Sequence, residues 1–434
     1  MNFLVRLAAM SLFIATTALQ AWAYDFTIDS IAYAINADSA TVTVTSTHRL
    51  SADNYSGLRQ AVIPQEVTPD SVKFYVVDSI DDFAFYGCST LTAVTIPASV
   101  KQIGDRAFAK CPELTAMSVD RRNNVYDSRS NCNAIVRKTD NTVIAACSAT
   151  TLNNVMSAIG PYAFYGCSKL ENITISSPIT KIGYEAFGGC TSLRAITIPA
   201  NMTELGYRAF AGCDELSTII VSANNSRYDS RDSCNAVIET ATNTLVAGCS
   251  TTVIPSTVDR IGYEAFSGAS ISKMVIPETV TGIGHYAFRE TGALKTVDIP
   301  SQVNRFGDRA FADCINLRTI YARLENPATA DYYDFSTFEG VDTTTCTLYV
   351  PEGTVPLYSA TLPWSPFIHI ETIPEWLPGD VNADGNVDIT DVNILINIIL
   401  GRDEAENYER RAYILGNDDI DISDVNALIN LVLY

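Results

Sequence analysis

Leu193-Arg194-Ala195-Ile196-Thr197-Ile198-Pro199-Ala200-Asn201-Met202-Thr203-Glu204-Leu205-Gly206-Tyr207-Arg208-Ala209-Phe210-Ala211-Gly212-Cys213 is one copy of a phrase that recurs along most of this chain. Leu193, Ile196 and Ile198 follow an L-x-x-I-x-I spacing, which predicts a short strand with its apolar residues turned inward. Pro199 ends it, because proline has no amide hydrogen to give to a ladder. A second short segment follows at Met202 and Leu205, and Gly206 predicts a tight bend. Ala209-Phe210 then sends an aromatic ring into the core, and Cys213 and Leu216 open the next copy.

The Ala of the Ala-Phe pair falls at residues 84, 107, 163, 186, 209, 265, 287 and 310, in steps of 23, 56, 23, 23, 56, 22 and 23. Each long step carries an insert. One begins Tyr126-Asp127-Ser128-Arg129 and continues to Cys132-Asn133-Ala134-Ile135. The other begins Tyr228-Asp229-Ser230-Arg231 and continues to Cys234-Asn235-Ala236-Val237. The chain is a repeat of repeats with a superperiod near 102. Units this short do not bury an apolar face alone; they stack, and their strands pair in parallel ~4.7–4.9 Å apart. Such a mostly β solenoid presents a long surface and has no built-in catalytic pocket.

Six of the eleven cysteines follow the repeated Phe by three residues: Cys88, Cys111, Cys167, Cys190, Cys213 and Cys314. At one fixed repeat position they are expected in the core as free thiols, because parallel side chains give poor disulfide geometry. Cys132 and Cys147 lie symmetrically about a turn near Thr139-Asp140-Asn141, and Cys234 and Cys249 repeat this 102 residues on. Each pair is read as facing across an antiparallel hairpin, where an oxidising compartment permits a bridge and burial as free thiols is the alternative.

The repeats resemble the BspA-like leucine-rich repeats of bacterial surface proteins, from roughly Ala84 to Ile370, and the Tyr-Asp-Ser-Arg and Cys-Asn-Ala inserts make the match specific. The resemblance implies a capped solenoid whose surface contacts a host or bacterial surface protein or glycoprotein. Residues 24–80 read as an N-terminal β cap, with strand-like stretches at Ala40–Thr47 and Val72–Val77. Residues 81–373 are the repeats, closed by Leu348-Tyr349-Val350-Pro351 and Trp364, and 374–378 are a linker. Outward strand positions are small or polar, as at Thr95, Ser118, Thr197 and Ser217, with charge at Arg194, Lys273 and Asp298 and an aromatic at Tyr321.

Met1 to Ala23 reads as a secretory signal, with Arg6, an apolar run from Leu7 to Ala18, and Ala21-Trp22-Ala23 as a small-x-small cleavage site. No transmembrane segment is expected after its removal. Export is expected, to an outer-surface or extracellular location that the sequence does not separate from the periplasm. The formal net charge of −20 disfavours nucleic acid and anionic membranes as partners.

From Gly379 the composition changes: residues 379–434 hold twelve Asp and Glu against three Lys and Arg. Asp380, Asn382, Asp384, Asp388 and Asp391 occupy positions 1, 3, 5, 9 and 12 of an EF-hand-type loop, with Gly385 at position 6 and the carbonyl of Asn386 at position 7. Oxygen donors at that spacing wrap one hard cation, so calcium is the expected ligand. A helix is predicted over Asp391–Leu400, with Val392, Leu395, Ile396 and Ile399 as its apolar stripe. Asp424-Val425-Asn426 echoes Asp391-Val392-Asn393, but the second loop keeps only Asn417, Asp421 and Asp424 and is expected to hold metal weakly or not at all. Paired loop–helix units of this kind resemble the dockerin domain, over about 379–434. That resemblance implies a cohesin-type partner and puts recognition at Ile389-Thr390 and Ile422-Ser423, where the alternative is that these residues only pack or cap helices. Calcium should order the loop and couple metal to partner.

Three histidines, His48, His285 and His369, form no catalytic grouping by spacing, and no phosphate-cradling glycine loop appears. His285 fills a free repeat position equivalent to Tyr184, Tyr207 and Tyr263, and is expected simply to be exposed. The reading is an exported, non-enzymatic binding protein with a calcium-dependent tail. The alternative is a non-catalytic subunit of a polysaccharide-degrading (glycoside hydrolase) assembly. An enzyme in its own right has no residues to assign.

Overall fold

The computed structural model describes residues 24–47, 55, 57–373, 379–382, 387–402 and 420–433. The leader 1–23, His48 and the linker 374–378 lie outside these. The described residues fall into two compact units: those up to Leu317 with Ala330–Asp342, and Arg318–Thr329 with those from Thr343 onward. Among the described residues, no helix is long and apolar enough to cross a membrane.

In the first unit the coils supply short strands to two parallel ladders; in the coil after Cys167 the longer strand is reduced to a single bridge, Asn172 to Ala195. One ladder pairs Gln60–Val62 with Ala93–Ile96 and Ala116–Val119, and farther on Ala195–Ile198 with Thr218–Val221. Ile196 and Ile198 are buried while Ala195 and Thr197 face out, as the alternation predicts. The other ladder is built of two-residue strands, Ala158–Ile159 to Lys181–Ile182 to Glu204–Leu205. Gln60–Val62 already belongs to the coil pairing. Tyr75–Ile80 begins the second ladder by pairing with Gln102–Ile103, while its other neighbours, Thr41–Thr45 and Glu66–Val67, belong to the N-terminal sheet.

The chain bends after Gly206, over Tyr207–Phe210, as expected, but not through a left-handed glycine. The Gly206 backbone is outside the left-handed region, and a Cβ there would lie 2.4 Å from the Gly183 carbonyl carbon. Gly183 stands 2.4 Å from Pro161 N in the same sense, and Gly307 2.2 Å from His285 N. The glycine is required by backbone-to-backbone approach of successive coils. Each coil has a left-handed residue two after the Phe, glycine at Gly166, Gly189 and Gly212 but Lys110 or Glu290 elsewhere, and another in the non-glycine before each Ala-Phe, such as Arg106, Glu185, Arg208 and Glu264, with φ of 55°, 47°, 54° and 52°. That conformation costs roughly 1–2 kcal/mol per residue, and inter-coil bonds such as Glu185 N–H to Tyr207 O and Phe187 N–H to Ala209 O hold it in place.

The buried Phe rings stack. Phe164–Phe187 centroids are 4.9 Å apart and Phe187–Phe210 5.9 Å. Phe266, Phe288, Phe311 and Phe338 continue at 5.0, 4.9 and 5.6 Å. Among the described residues no ring contact joins Phe108 to Phe164 or Phe210 to Phe266. There an inserted hairpin intervenes. Ala146 N–H bonds Ala163 O and Gly248 N–H bonds Ala265 O, while Gly248 sits against the Phe266 ring, where a Cβ would be 2.0 Å away.

The insert motif is structural. Asn123 accepts from the Val125 and Tyr126 amides and donates to Pro97 O and Val100 O. Arg129 grips Asp127 with two bonds of 2.8 Å and reaches Asn141 at 2.6 Å. Asn225 and the Asp229–Arg231–Asn243 set repeat the arrangement.

All eleven cysteines are buried and unbridged. The repeat cysteines act as hydrogen-bond donors. Cys111, Cys190, Cys213 and Cys314 Sγ lie 3.1–3.2 Å from the carbonyls of Phe85, Phe164, Phe187 and Phe288, each one coil back. Thr291 makes the same bond to Phe266 O at 3.0 Å. Burial pushes the Cys213 and Cys314 thiols up to about 12, so they stay protonated. In the hairpin, the register Ala134↔Ala146 brings Cys147 beside Asn133 rather than Cys132, and its thiol reaches Asn133 O at 3.3 Å.

The left-handed side chains form a partly buried charged row. Arg208 donates to Glu185 at 2.6 Å, to Glu290 at 2.8 Å and to Ser267 at 2.5 Å; Arg106 reaches Glu185 at 2.9 Å and lies 3.7 Å over the Tyr162 ring. Glu264, in the same row, is buried with Oε2 unpartnered, and burial raises its carboxyl above the usual range.

In the second unit, Thr319–Ala322, Thr347–Val350 and His369–Thr372 pair in parallel. Helix α1 (Val355–Ala360) follows the middle strand. The buried Tyr358 hydroxyl lies 3.0 and 2.9 Å from the carbonyls of Ala322 and Leu324, and its ring meets the buried Trp364 edge-on at 5.4 Å. The unit also holds helices α2 (Ile389–Ile399) and α3 (Ile422–Leu433), packed through Val381, Val392, Leu395, Val425 and Leu428.

Two outcomes test this packing. Denatured without reductant, the protein should titrate eleven thiols; in urea unfolding, Thr291→Cys should be near neutral and Thr291→Val should cost about 0.5–1.5 kcal/mol, the worth of one hydrogen bond, since the Phe266 carbonyl keeps the Ala269 N–H. For Glu264, the native state keeps a proton that the unfolded chain has already released. Stability therefore falls as pH rises from the ordinary carboxylate range through the raised value. Glu264→Gln should melt higher than wild type at pH 7, with the gap shrinking at pH 4; a gap independent of pH contradicts the assignment.

Candidate functional sites

The acidic tail is built around Asp391. This fully buried carboxylate accepts from Val381 N–H at 2.7 Å and Asn382 N–H at 3.2 Å with one oxygen, and from Asp388 N–H at 2.9 Å with the other. It thus ties residues 381–382 to the start of α2. Asp388 caps that helix, accepting from Thr390 N–H at 2.7 Å and from the Thr390 hydroxyl. These bonds hold its carboxyl below the usual range. The helix begins at Ile389, two residues earlier than expected, because Asp388 supplies the cap and Asp391 completes the capping box. Its buried face carries Val392 and Leu395, with Ile394 and Ile398 packed alongside; Ile396 and Ile399, expected in the stripe, are exposed.

Asp380 is buried beside this cluster, and Asn382 is half-buried. Asp384, Gly385 and Asn386 lie outside the described residues, as does Asn417. Among the described residues, no three His, Cys, Asp or Glu groups converge as a metal site. The second half repeats the frame: Asp424 is fully buried and accepts from Asp421 N–H at 3.1 Å. Ile389 and Ile422 occupy equivalent first-turn positions and are 61% and 63% exposed, so neither packs into the helical core. Thr390 is exposed beside Ile389, and Ser423 follows Ile422 in α3.

On the coils, the outward strand positions are half-buried to exposed. The sequence reading missed two apolar members of that row, Ile220 and Val275, each about half exposed. His285 is not simply exposed. Its Nδ1 accepts from Asp308 N–H at 3.0 Å and its ring meets Tyr333 edge-on at 4.5 Å.

The two-residue strands floor two open grooves, one per superrepeat. The first, of about 680 Å³, runs from Thr142 over Ile159, Ile182 and Leu205 to Arg227, Tyr228 and Glu239 of the second hairpin. Tyr184 and Tyr207 line it on successive coils, and Tyr207 is 54% exposed. Its charges are paired: Lys181–Glu204 at 2.8 Å and Arg227–Glu239 at 3.1 Å. The second groove, of about 480 Å³, is lined by Arg260, His285, Arg305, Asp331 and Tyr333. The signal for these residues in sequence is that Tyr184, Tyr207 and His285 sit at a free repeat position. The cross-coil ion pairs emerge only from the register.

The family description "BspA type Leucine rich repeat region" matches in six copies over residues 69–144, 157–239 and 245–349. No curated protein matches the chain. Among solved structures, it is similar to a leucine rich cell surface protein from Faecalibacterium prausnitzii, with 23% identity over 71% of this chain and 94% of that one and a TM-score of 0.40. It is also similar to the pneumococcal vaccine antigen PcpA, with 17% identity over 80% and 98% and a TM-score of 0.42. A leucine-rich repeat protein from Eubacterium ventriosum matches with 18% identity over 83% and 98% and a TM-score of 0.40. With the repeat description matched over more than half its length, the chain belongs to the BspA-type leucine-rich repeat family.

Proposed function

We propose that this protein is an exported, non-enzymatic binding protein of the bacterial surface or its surroundings. Its coils form the ligand-binding faces, and a dockerin-like tail over 379–434 attaches it through calcium to a cohesin-type partner. The observation that carries the binding reading is the coil architecture: backbone groups are spent on inter-coil ladders, while free repeat positions project side chains outward at every step. Surfaces built this way recognise a partner by side chains spread over several coils.

The tail's residues fit a hard cation. Asp380, Asn382, Asp388 and Asp391 are all oxygen donors, and the Asp380 and Asp391 carboxylates are both buried, where charge needs compensation. Asp384 and Asn386 would complete the set. Calcium would supply positive charge that offsets these carboxylates and orders the segment ahead of α2. Asp391 would hold the two ends of the loop together, and Ile389 and Ile422, matched and exposed, would offer the apolar contacts to the partner. Asp421 and Asp424 are left with the helix start, which supports a weak second site.

Calorimetry of the full chain should show one strong calcium site. Asp380→Ala with Asp384→Ala should abolish it and abolish capture on an immobilised cohesin panel. Capture that persists in chelator overturns the tether, and two equally strong sites overturn the weak second loop.

A further inference from the structure

We propose that the groove between the two hairpins is a binding site for a neutral polysaccharide segment, with Tyr184 and Tyr207 as its stacking platforms and the Lys181–Glu204 and Arg227–Glu239 pairs as its hydroxyl-binding groups. The proposal deepens the binding-protein reading and rests on it.

The repeat geometry does not demand tyrosine at these places. The position two before each Ala-Phe holds Asp82, Asp105, Pro161 and Asp308 in other coils. It accepts acidic residues and proline, yet aromatic rings gather over the coils that floor and follow this groove. They meet in pairs: Tyr162, from the adjoining left-handed position, meets Tyr184 edge-on at 5.6 Å, and Tyr207 meets Tyr263 at 4.6 Å. Exposed flat rings with polar rims suit ligands that present both an apolar face and hydroxyls.

Competing ligand classes fit less well. An extended peptide that adds as a strand needs free backbone partners. Here two of the three floor strands are hydrogen-bonded on both sides, Ala158–Ile159 to Thr142–Val143 and to Lys181–Ile182, and the latter to Glu204–Leu205; Glu204–Leu205 ends that ladder but offers only two residues, beside Tyr228 of the second hairpin. A polyanion meets a chain of net charge −20 and a groove whose two cations are each neutralised by a glutamate. The same pairing removes any draw on a polycation. What remains is a neutral ligand recognised by ring faces and by paired donors and acceptors, and a pyranose chain has that chemistry.

Size agrees. Three inter-strand steps separate the Thr142 strand from the Glu204 strand, roughly 15 Å at ~4.8 Å per step. A groove of about 680 Å³ lies within the range of small-molecule clefts. The ion pairs are largely exposed and contribute little to folding, so they are free to exchange partners with hydroxyl groups. The second groove is an internal contrast. It keeps the frame but carries His285 and Arg305 at the places of Tyr184 and Glu204, with Arg260 besides.

The test is affinity electrophoresis of the full chain in gels containing xylan, galactomannan, mixed-linkage β-glucan or glycogen, with polygalacturonate as the acidic control. At least one neutral polymer should retard the protein. Tyr184→Ala with Tyr207→Ala should abolish that retardation, and the corresponding double Phe variant, which keeps the ring faces, should retain it. Asp380→Ala should leave it unchanged. Thermal melts establish that the Ala variant is folded, and the Phe variant keeps the test decisive if it is not. No retardation by any neutral polymer, retention only by polygalacturonate, or loss in the Phe variant alone overturns the proposal. Coils that capture a surface protein in a purified pairwise assay while ignoring every polysaccharide would leave the binding-protein reading standing without this site. Failure of both assays counts against that reading too.

Discussion

Where Gly206 passes Gly183, a methyl group would stand 2.4 Å from a backbone carbon, and the coil architecture depends on that proximity. It sets Ile182 against Leu205 in parallel register, and the chain then has only a few residues before Ala-Phe. The same short path in each coil delivers one ring onto the next: Phe164, Phe187 and Phe210 stack because their glycines do not hold the coils apart. The thiols complete the step. Cys190 and Cys213 reach the carbonyl of the Phe one coil back, so each inward polar donor is satisfied without water. Thr291 at the equivalent place shows that what the position requires is a small buried donor. Against these gains stand two left-handed residues per coil; the one before Ala-Phe is never glycine and costs roughly 1–2 kcal/mol, and the one two after the Phe is glycine in most coils but Lys110, Glu290 or Asp313 in others.

The two hairpins interrupt this regularity. At Phe108 and Phe210 the ring stack stops, and the strand that enters takes the Ala163 and Ala265 carbonyls for itself. Ring contact is replaced by polar closure. Asn123 or Asn225 ties the turn to the preceding coil, and an Arg held by an Asp and an Asn braces the hairpin. Because the same bonds recur one superperiod later, the inserts are built elements. Their consequence is spatial: they interrupt the short-strand ladder, and Thr142 of the first and Arg227, Tyr228 and Glu239 of the second bound the larger groove.

The parts most legible in sequence were those set by one repeated constraint. The period located every coil, the L-x-x-I-x-I alternation assigned Ile196 and Ile198 to the core, and the fixed cysteine position implied free thiols. Errors arose where one residue type serves two purposes. At Gly206 the chain does bend, but glycine is needed there for its missing Cβ rather than for its backbone freedom. In α2 the 3.6-residue pattern allows two adjacent stripes, and the partner helix selected Val392 and Leu395 with Ile398 over Ile396 and Ile399. Cys147 lay one register step from its assumed partner, because a bulge between Ile135 and Val136 shifts the hairpin. Cross-coil pairs such as Lys181–Glu204 join residues a full coil apart, and only the register brings them together.

The coil therefore separates its positions by how much they are constrained. Glycine, alanine, phenylalanine and the small donor are fixed by contact with the coils on either side. The left-handed position is half-constrained: its backbone is held, but its side chain can be Arg, Glu, Tyr or Phe, and these interlock into a charged and aromatic row along the coils. The position before it is held loosely: Asp82 and His285 there accept the amide of the equivalent residue one coil on, and Tyr184 and Tyr207 meet neighbouring rings, while Pro161 also fits. Ring contact along the coils accounts for part of the clustering of Tyr184, Tyr207 and Tyr263, and their exposed faces leave room for contact with a ligand. Repetition makes the frame rigid, and rigidity lets a few loosely held side chains keep a fixed spacing with little ordering entropy left to lose on binding.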